Sequence, residues 1–161
     1  MKILICSDTH GYDKNLQSVI EEQKPLDMLI HLGDAEGSDP MIASWLNEGC
    51  ELVMVRGNND FFSALEPELE LELGPHRVFL THGHYYNVSL GVDYLREEAL
   101  DRGCDMAMYG HTHRPFLEYG DEVLVLNPGS LSYPRQKGRR PSYMILEFDK
   151  EWVAHFHTYY L

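Results

Sequence analysis

Several things are scarce in this sequence, and each shortage closes off a class of protein. Cysteine is rare and odd in number; Cys6, Cys50 and Cys104 lie far apart, which suggests neither a disulfide framework nor a thiolate zinc site. No apolar run approaches the roughly 20 residues needed to span a bilayer. The opening stretch Met1–Cys6 is too short for the apolar region of a secretory leader and reads as a first strand. Basic residues are outnumbered, with 13 Lys and Arg against 26 Asp and Glu, for a formal net charge of −13 at pH 7. Non-specific duplex binding depends on Lys and Arg neutralising phosphates, so no duplex nucleic-acid partner is expected. Repeats, low-complexity tracts and linker-like stretches are also missing. Together these shortages point to a cytoplasmic protein without a membrane partner.

What is present suits one domain spanning 1–161, large enough to bury a core, with 43% hydrophobic residues. Short aliphatic runs alternate with helix-length segments in the first half, the pattern of βαβ units and a parallel sheet. Strands are expected at Ile3–Cys6, Met28–Leu32, Leu52–Val55, Val78–Thr81, Met106–Tyr109 and Val123–Leu126. Helices are expected at Lys14–Gln23, Pro40–Glu48 and Val88–Arg102. Tyr143–Phe148 and Trp152–Tyr160, separated by Asp149-Lys150, carry a hairpin signal. The expected fold is an α/β sandwich of two sheets with helices outside.

The informative residues come directly after six of these strands. Ile3–Cys6 runs into Ser7-Asp8-Thr9-His10-Gly11, Met28–Leu32 into Gly33-Asp34, and Leu52–Val55 into Arg56-Gly57-Asn58-Asn59-Asp60. Val78–Thr81 runs into His82-Gly83-His84, Met106–Tyr109 into Gly110-His111-Thr112-His113, and Val123–Leu126 into Asn127-Pro128-Gly129-Ser130. Ligands bind open α/β sheets at the carboxyl ends of the parallel strands. Six such loops would converge on one edge. Singly each has a plain alternative: a helix cap for Asp8, turn chemistry for Gly33-Asp34 and Gly57-Asn58. Four imidazoles in two short loops resist that explanation.

The remaining histidines read as structural. His31 sits inside a strand, His76 in the turn Gly74-Pro75-His76, and His155 and His157 share one partly solvated strand face. Glu68, Glu70 and Glu72 alternate with Leu69, Leu71 and Leu73 as the polar face of an amphipathic strand. Phe61, Phe62, Tyr85 and Tyr86 default to core, with a substrate pocket or a subunit contact as the alternatives; a homo-oligomer is left open. Arg135, Lys137, Arg139 and Arg140 form the one basic cluster. It reads as a solvated loop, or as a segment that helps hold an anionic substrate.

Taken in order, Asp8-x-His10, Gly33-Asp34, Gly57-Asn58, His82-Gly83-His84 and Gly110-His111-x-His113 resemble the calcineurin-like metallophosphoesterase superfamily. Length, spacing and the trailing Asn127-Pro128-Gly129-Ser130 resemble its small YfcE-like phosphodiesterase branch. The resemblance covers about residues 3–149 and implies a four-layer αββα sandwich. It implies two divalent metal ions, the first held by Asp8, His10 and His113, the second by Asn58, His82 and His111, with Asp34 between them. Many superfamily members carry a His after the metal-binding Asn, where this chain has Asn59. The general acid is thereby unassigned, with His84 the candidate, and diesters with good leaving groups are favoured. Asn59, His84, Ser130 and Arg135 are the residues expected to face substrate.

A donor set of carboxylate, imidazole and amide without thiolate suits manganese first, with iron, zinc or nickel as alternatives. It does not suit calcium, which prefers oxygen throughout. Two such ions, about 3.5–4 Å apart, supply hydroxide for attack on a small phosphodiester. Two readings compete with that one: a phosphomonoester or phosphoprotein phosphatase, and a non-catalytic scaffold resembling the related retromer subunit.

Overall fold

The computed structural model describes residues 1–161. In chain order its elements are β1 (Lys2–Cys6), α1 (Lys14–Gln23), β2 (Met28–His31), α2 (Asp39–Trp45), β3 (Glu51–Met54), β4 (Glu68–Leu73), β5 (His76–Thr81), α3 (Asp93–Asp101), β6 (Met106–Met108), β7 (Pro115–Tyr119), β8 (Leu124–Pro128), β9 (Ser142–Phe148) and β10 (Ala154–Tyr160). They form two five-stranded sheets of order β10-β9-β1-β2-β3 and β4-β5-β6-β8-β7. Each sheet is mixed. Strands β1, β2 and β3 run parallel in the first, as do β5, β6 and β8 in the second. Antiparallel strands complete the edges.

Side-chain alternation along the strands builds the layers. Ile3, Ile5, Ile30 and Val53 of the first sheet face Val78, Leu80, Met106 and Met108 of the second, and these residues form the core between the sheets. The opposite side chains of the same strands, Leu4, Cys6 and Leu29, pack outward against Leu16, Val19 and Ile20 of α1 and Ile42 of α2. Phe79, Ala107 and Val125 pack outward against Leu95 and Ala99 of α3. Strands apolar on both faces suit a sheet covered on both sides, and burying each such side chain is worth about 1.5–3 kcal/mol. The result is the four-layer α/β sandwich. None of its helices is long and apolar enough to cross a membrane.

Differences from the sequence expectations have local causes. Helix α3 begins at Asp93 rather than Val88, because Asn87 (φ 53°) and Gly91 (φ 156°) break the run before it. Strand β7 is not among the expected strands because it opens with Pro115, tolerated there as the first residue of an edge strand. His76 is not in a turn; it is the first residue of β5, bonded through Nδ1 to Asp105 at 2.7 Å and stacked on Phe148. Phe61, Phe62 and Tyr85 are exposed rather than core. Tyr86 packs partly against the α3 layer, and its hydroxyl donates to Glu68.

Candidate metal centre

All six loops singled out in the sequence follow strands of the two parallel triplets, so they leave the sheets at one edge. Their backbones are unusual. Asp8, His10, Asp34, His111 and His113 all have positive φ, at 56, 49, 58, 67 and 56°. Such conformations cost non-glycine residues about 1–3 kcal/mol each and persist only where the surroundings impose them. Two glycines give the loops room. A Cβ on Gly57 would lie 2.1 Å from Asp34 Oδ1, and one on Gly110 would lie 2.1 Å from Ser7 Oγ.

Two groups of side chains meet there. In the first, His113 Nε2 lies 3.1 Å from Asp8 Oδ1 and 3.3 Å from His10 Nε2. In the second, Asn58 Oδ1 lies 3.1 Å from His82 Nε2 and 2.9 Å from His111 Nδ1. Asp34 Oδ2 stands between them, 3.4 Å from His82 Nε2 and 3.9 Å from His10 Nε2. Asp8 Oδ1 also reaches toward the second group, 3.8 Å from His82 Nε2. Donors sharing an ion at about 2.1 Å stand roughly 3–3.5 Å apart, which is the spacing within each group.

The polar accounting favours a cation here. Asp8 and Asp34 are almost fully buried, and no Lys or Arg pairs with either. Asp8 Oδ1 is a buried atom without a hydrogen-bond partner, although its other oxygen accepts from Ser7 Oγ (2.6 Å) and His111 N (3.0 Å). Three imidazoles are held from behind through Nδ1: His10 by Glu36 (2.7 Å), His82 by the Leu32 carbonyl (2.7 Å) and His113 by the Tyr133 carbonyl (2.7 Å). Those oxygens only accept, so each Nδ1 donates, and a neutral ring then turns the Nε2 lone pair toward the carboxylates. Lone pairs and anions gathered this closely repel unless a proton or a metal ion lies among them. The residues present fit divalent ions.

Titration reflects the same crowding. Burial pushes the Asp8 carboxyl up, but the neighbouring His113 and His82 imidazoles outweigh it and hold it below the usual range. For Asp34, burial is outweighed by His82 and by the two Asn59 donors, and its pKa lies well below the usual range. His82 moves the other way: burial opposes its charged form, yet the Asp34 hydrogen bond and both carboxylates raise it to about 9. Burial first, and then the His82 charge, lowers His111 and His84.

Other expectations resolve individually. Asn59, expected to face substrate, instead grips Asp34, through its backbone N–H (2.8 Å to Oδ1) and its Nδ2 (2.7 Å to Oδ2). Ser130 is fully buried; its hydroxyl donates to Asp8 O (2.8 Å) and accepts from Ser132 N and Tyr133 N, so it holds the Asp8 loop and has no free side toward a ligand. His84 lies against Tyr85, with ring centroids 4.0 Å apart, and its Nδ1 has no partner. Held neutral, it is a weak proton donor at pH 7. Arg135 is exposed beside the first group, its backbone N–H donating to His113 O at 3.0 Å. His31 is buried with Nε2 3.1 Å from Thr9 Oγ1, while His155 and His157 lie on the exposed face of β10. Sequence reading passes over Asp60, whose carboxylate accepts from Asp34 N (2.7 Å), Gly57 N (2.7 Å) and Glu36 N (2.6 Å). Its one signal is its place at the end of Gly57-Asn58-Asn59-Asp60. Glu36 gives no signal at all.

The family model described as Calcineurin-like phosphoesterase superfamily domain matches residues 1–151. Phosphodiesterase YfcE of Escherichia coli K12 is 36% identical over 172 aligned positions, covering 92% of this chain and 89% of YfcE. A crystal structure from Streptococcus pneumoniae, described as a predicted phosphoesterase, superposes with a TM-score of 0.79 at 26% identity, over 99% of this chain and 97% of that one. Vps29 of Entamoeba histolytica also superposes with a TM-score of 0.79, over 100% and 99%, but at 19% identity that likeness is one of fold. This chain belongs to the calcineurin-like phosphoesterase superfamily.

Proposed function

We propose that the chain hydrolyses small phosphodiesters in the cytoplasm with two divalent ions, manganese foremost. Asp8, His10 and His113 would hold one ion and Asn58, His82 and His111 the other, with the Asp34 carboxylate standing between the two groups. One observation carries the reading: three imidazoles anchored at Nδ1 turn Nε2 onto two buried carboxylates that have no Lys or Arg partner. Ions bound there would supply hydroxide at neutral pH and neutralise negative charge on a phosphoryl group. The protein's part is to keep the donors fixed beforehand. Asn59 and Asp60 hold the Asp34 loop, and Ser7, Ser130 and the His111 N–H hold Asp8. With His84 lowered, departure of the alcohol depends chiefly on the alcohol itself. Diesters with acidic leaving groups should therefore react best.

Two rival readings meet the same test. A phosphomonoester or phosphoprotein phosphatase would use the same ions, and the likeness to Vps29 leaves room for a non-catalytic scaffold. After chelation and re-addition of manganese, bis-p-nitrophenyl phosphate should be cleaved well ahead of p-nitrophenyl phosphate. The reverse order would favour the phosphatase. Protein that binds metal but cleaves neither would favour the scaffold. Asp34→Asn should abolish most turnover, by about 100-fold or more, with the circular dichroism unchanged.

A further inference from the structure

On the His10 and His113 side of the centre opens a cleft of about 720 Å3, walled by Tyr12, Tyr133, Arg114, Arg135 and Arg139. Its charge is out of keeping with the rest of the molecule. Four of the five arginines elsewhere are spent: Arg77 on Glu70, Arg96 on Glu118, Arg102 on Glu68 and Glu98, and Arg140 on the carbonyls of Tyr160 and Leu161; the fifth, Arg56, lines a separate groove with Asn58 and His84. The three cleft guanidiniums have no carboxylate partner, in a chain of net charge −13. Glu36, the acid that shares the cleft, is occupied by His10. Unpaired guanidinium forks are suited to phosphate oxygens.

The cleft also offers aromatic surface. Tyr133 and Tyr12 meet edge to face at 5.5 Å, and Tyr133 meets the His10 ring edge to face at 5.4 Å. Both tyrosines are exposed, at 45% and 66%. Nor are these walls loosely placed. The Tyr133 carbonyl accepts from His113 Nδ1, and the Arg135 N–H donates to the His113 carbonyl. A ligand lying on them is therefore in register with the phosphorus centre.

We propose that this cleft is a nucleotide subsite, in which a base stacks on Tyr133 with the Tyr12 ring standing across its edge while Arg114, Arg135 and Arg139 hold a second phosphate. The inference rests on the phosphodiesterase reading and narrows it to short single-stranded oligonucleotides, diesters with a further phosphate beyond the one cleaved. A diester with two neutral arms would leave three arginines unused, and a ring-free polyphosphate would leave the tyrosines unused.

Binding can be read apart from catalysis by titrating chelated, metal-free protein calorimetrically with adenosine 3′,5′-bisphosphate, pyrophosphate and adenosine. The bisphosphate should bind at least about tenfold more tightly than either of the others. Tyr133→Ala should erase its advantage over pyrophosphate, and Tyr133→Phe should restore it. The double variant Arg135→Gln/Arg139→Gln should erase its advantage over adenosine. Melting curves would verify that these exposed positions leave the fold intact. Equal affinity for pyrophosphate and the bisphosphate, or binding of none of the three, overturns the subsite. In manganese-loaded enzyme, 5′-phosphorylated diadenylate should exceed its unphosphorylated form in kcat/KM by about tenfold, and parity overturns the subsite as well. Loss of all diester hydrolysis with the bisphosphate still bound would instead count against the phosphodiesterase reading alone.

Discussion

Asp60 is not itself a candidate donor, yet its carboxylate gathers three backbone N–H groups from two loops, that of Asp34 among them. Removing it strands three donors around the Asp34 turn. Asp60→Ala should cost about 3 kcal/mol, read from the urea midpoint, and should weaken metal retention as well. His82 carries a pH prediction with a definite sign. Its pKa in the metal-free fold is raised from 6.5 to about 9, so its contribution to stability is fully present below 6.5 and is lost as pH rises through 9. Asp8 and Asp34 are lowered, so their contribution is present above the ordinary carboxylate range and is lost in acid. The metal-free melting temperature should peak between those limits and fall toward pH 9. A flat profile from pH 6 to 9.5 would contradict the assignment. Metal must displace the His82 proton; calorimetry at pH 7 in buffers of different ionisation enthalpy should therefore show proton release.

At the scale of elements, the strand-end loops and the layers behind them separate function from stability. Gly57 belongs to the loops. A methyl group there meets Asp34 Oδ1 at 2.1 Å and Asp34 N at 2.5 Å, so Gly57→Ala should lower metal affinity by about 10–100-fold, measured by metal analysis after dialysis. Leu95 belongs to the layers; it is fully buried where α3 meets the second sheet. Leu95→Ala should cost about 2–5 kcal/mol in denaturant unfolding while the metal content stays near stoichiometric. Strands are legible because their apolar residues are nearly continuous, and α1 because Leu16, Val19 and Ile20 fall on one helical face. Strand β7 and the start of α3 are not legible. Their identity depends on an edge position and on backbone angles that residue types permit but do not announce.

For the whole molecule, two buried carboxylates face imidazoles and no Lys or Arg, and bound metal ions would add their binding free energy to that of folding. Ions at about a hundred times their dissociation constant should add about 2.7 kcal/mol. In a domain of this size that raises the melting temperature by roughly 5–10 °C. Chelation should reverse the shift and remove activity together, and re-added manganese should restore both. A melting temperature indifferent to chelator would argue that no ion is held at the centre.

Residue order by itself determined the layered α/β class, because strands apolar on both faces must be covered on both sides. It also marked out the six strand-end loops, because Asp, Asn and His recur beside glycine after strand upon strand, while the choice of seven candidate donors among them came from the family resemblance. Which ring nitrogen each His presents, and the binding of Asn59 and Ser130 to the loops rather than to a ligand, were decided only in three dimensions. The same is true of the gathering of Arg114 with Arg135 and Arg139 beside Tyr12. Those outcomes depend on contacts between residues as much as 122 positions apart in the chain, and local patterning carries no record of them.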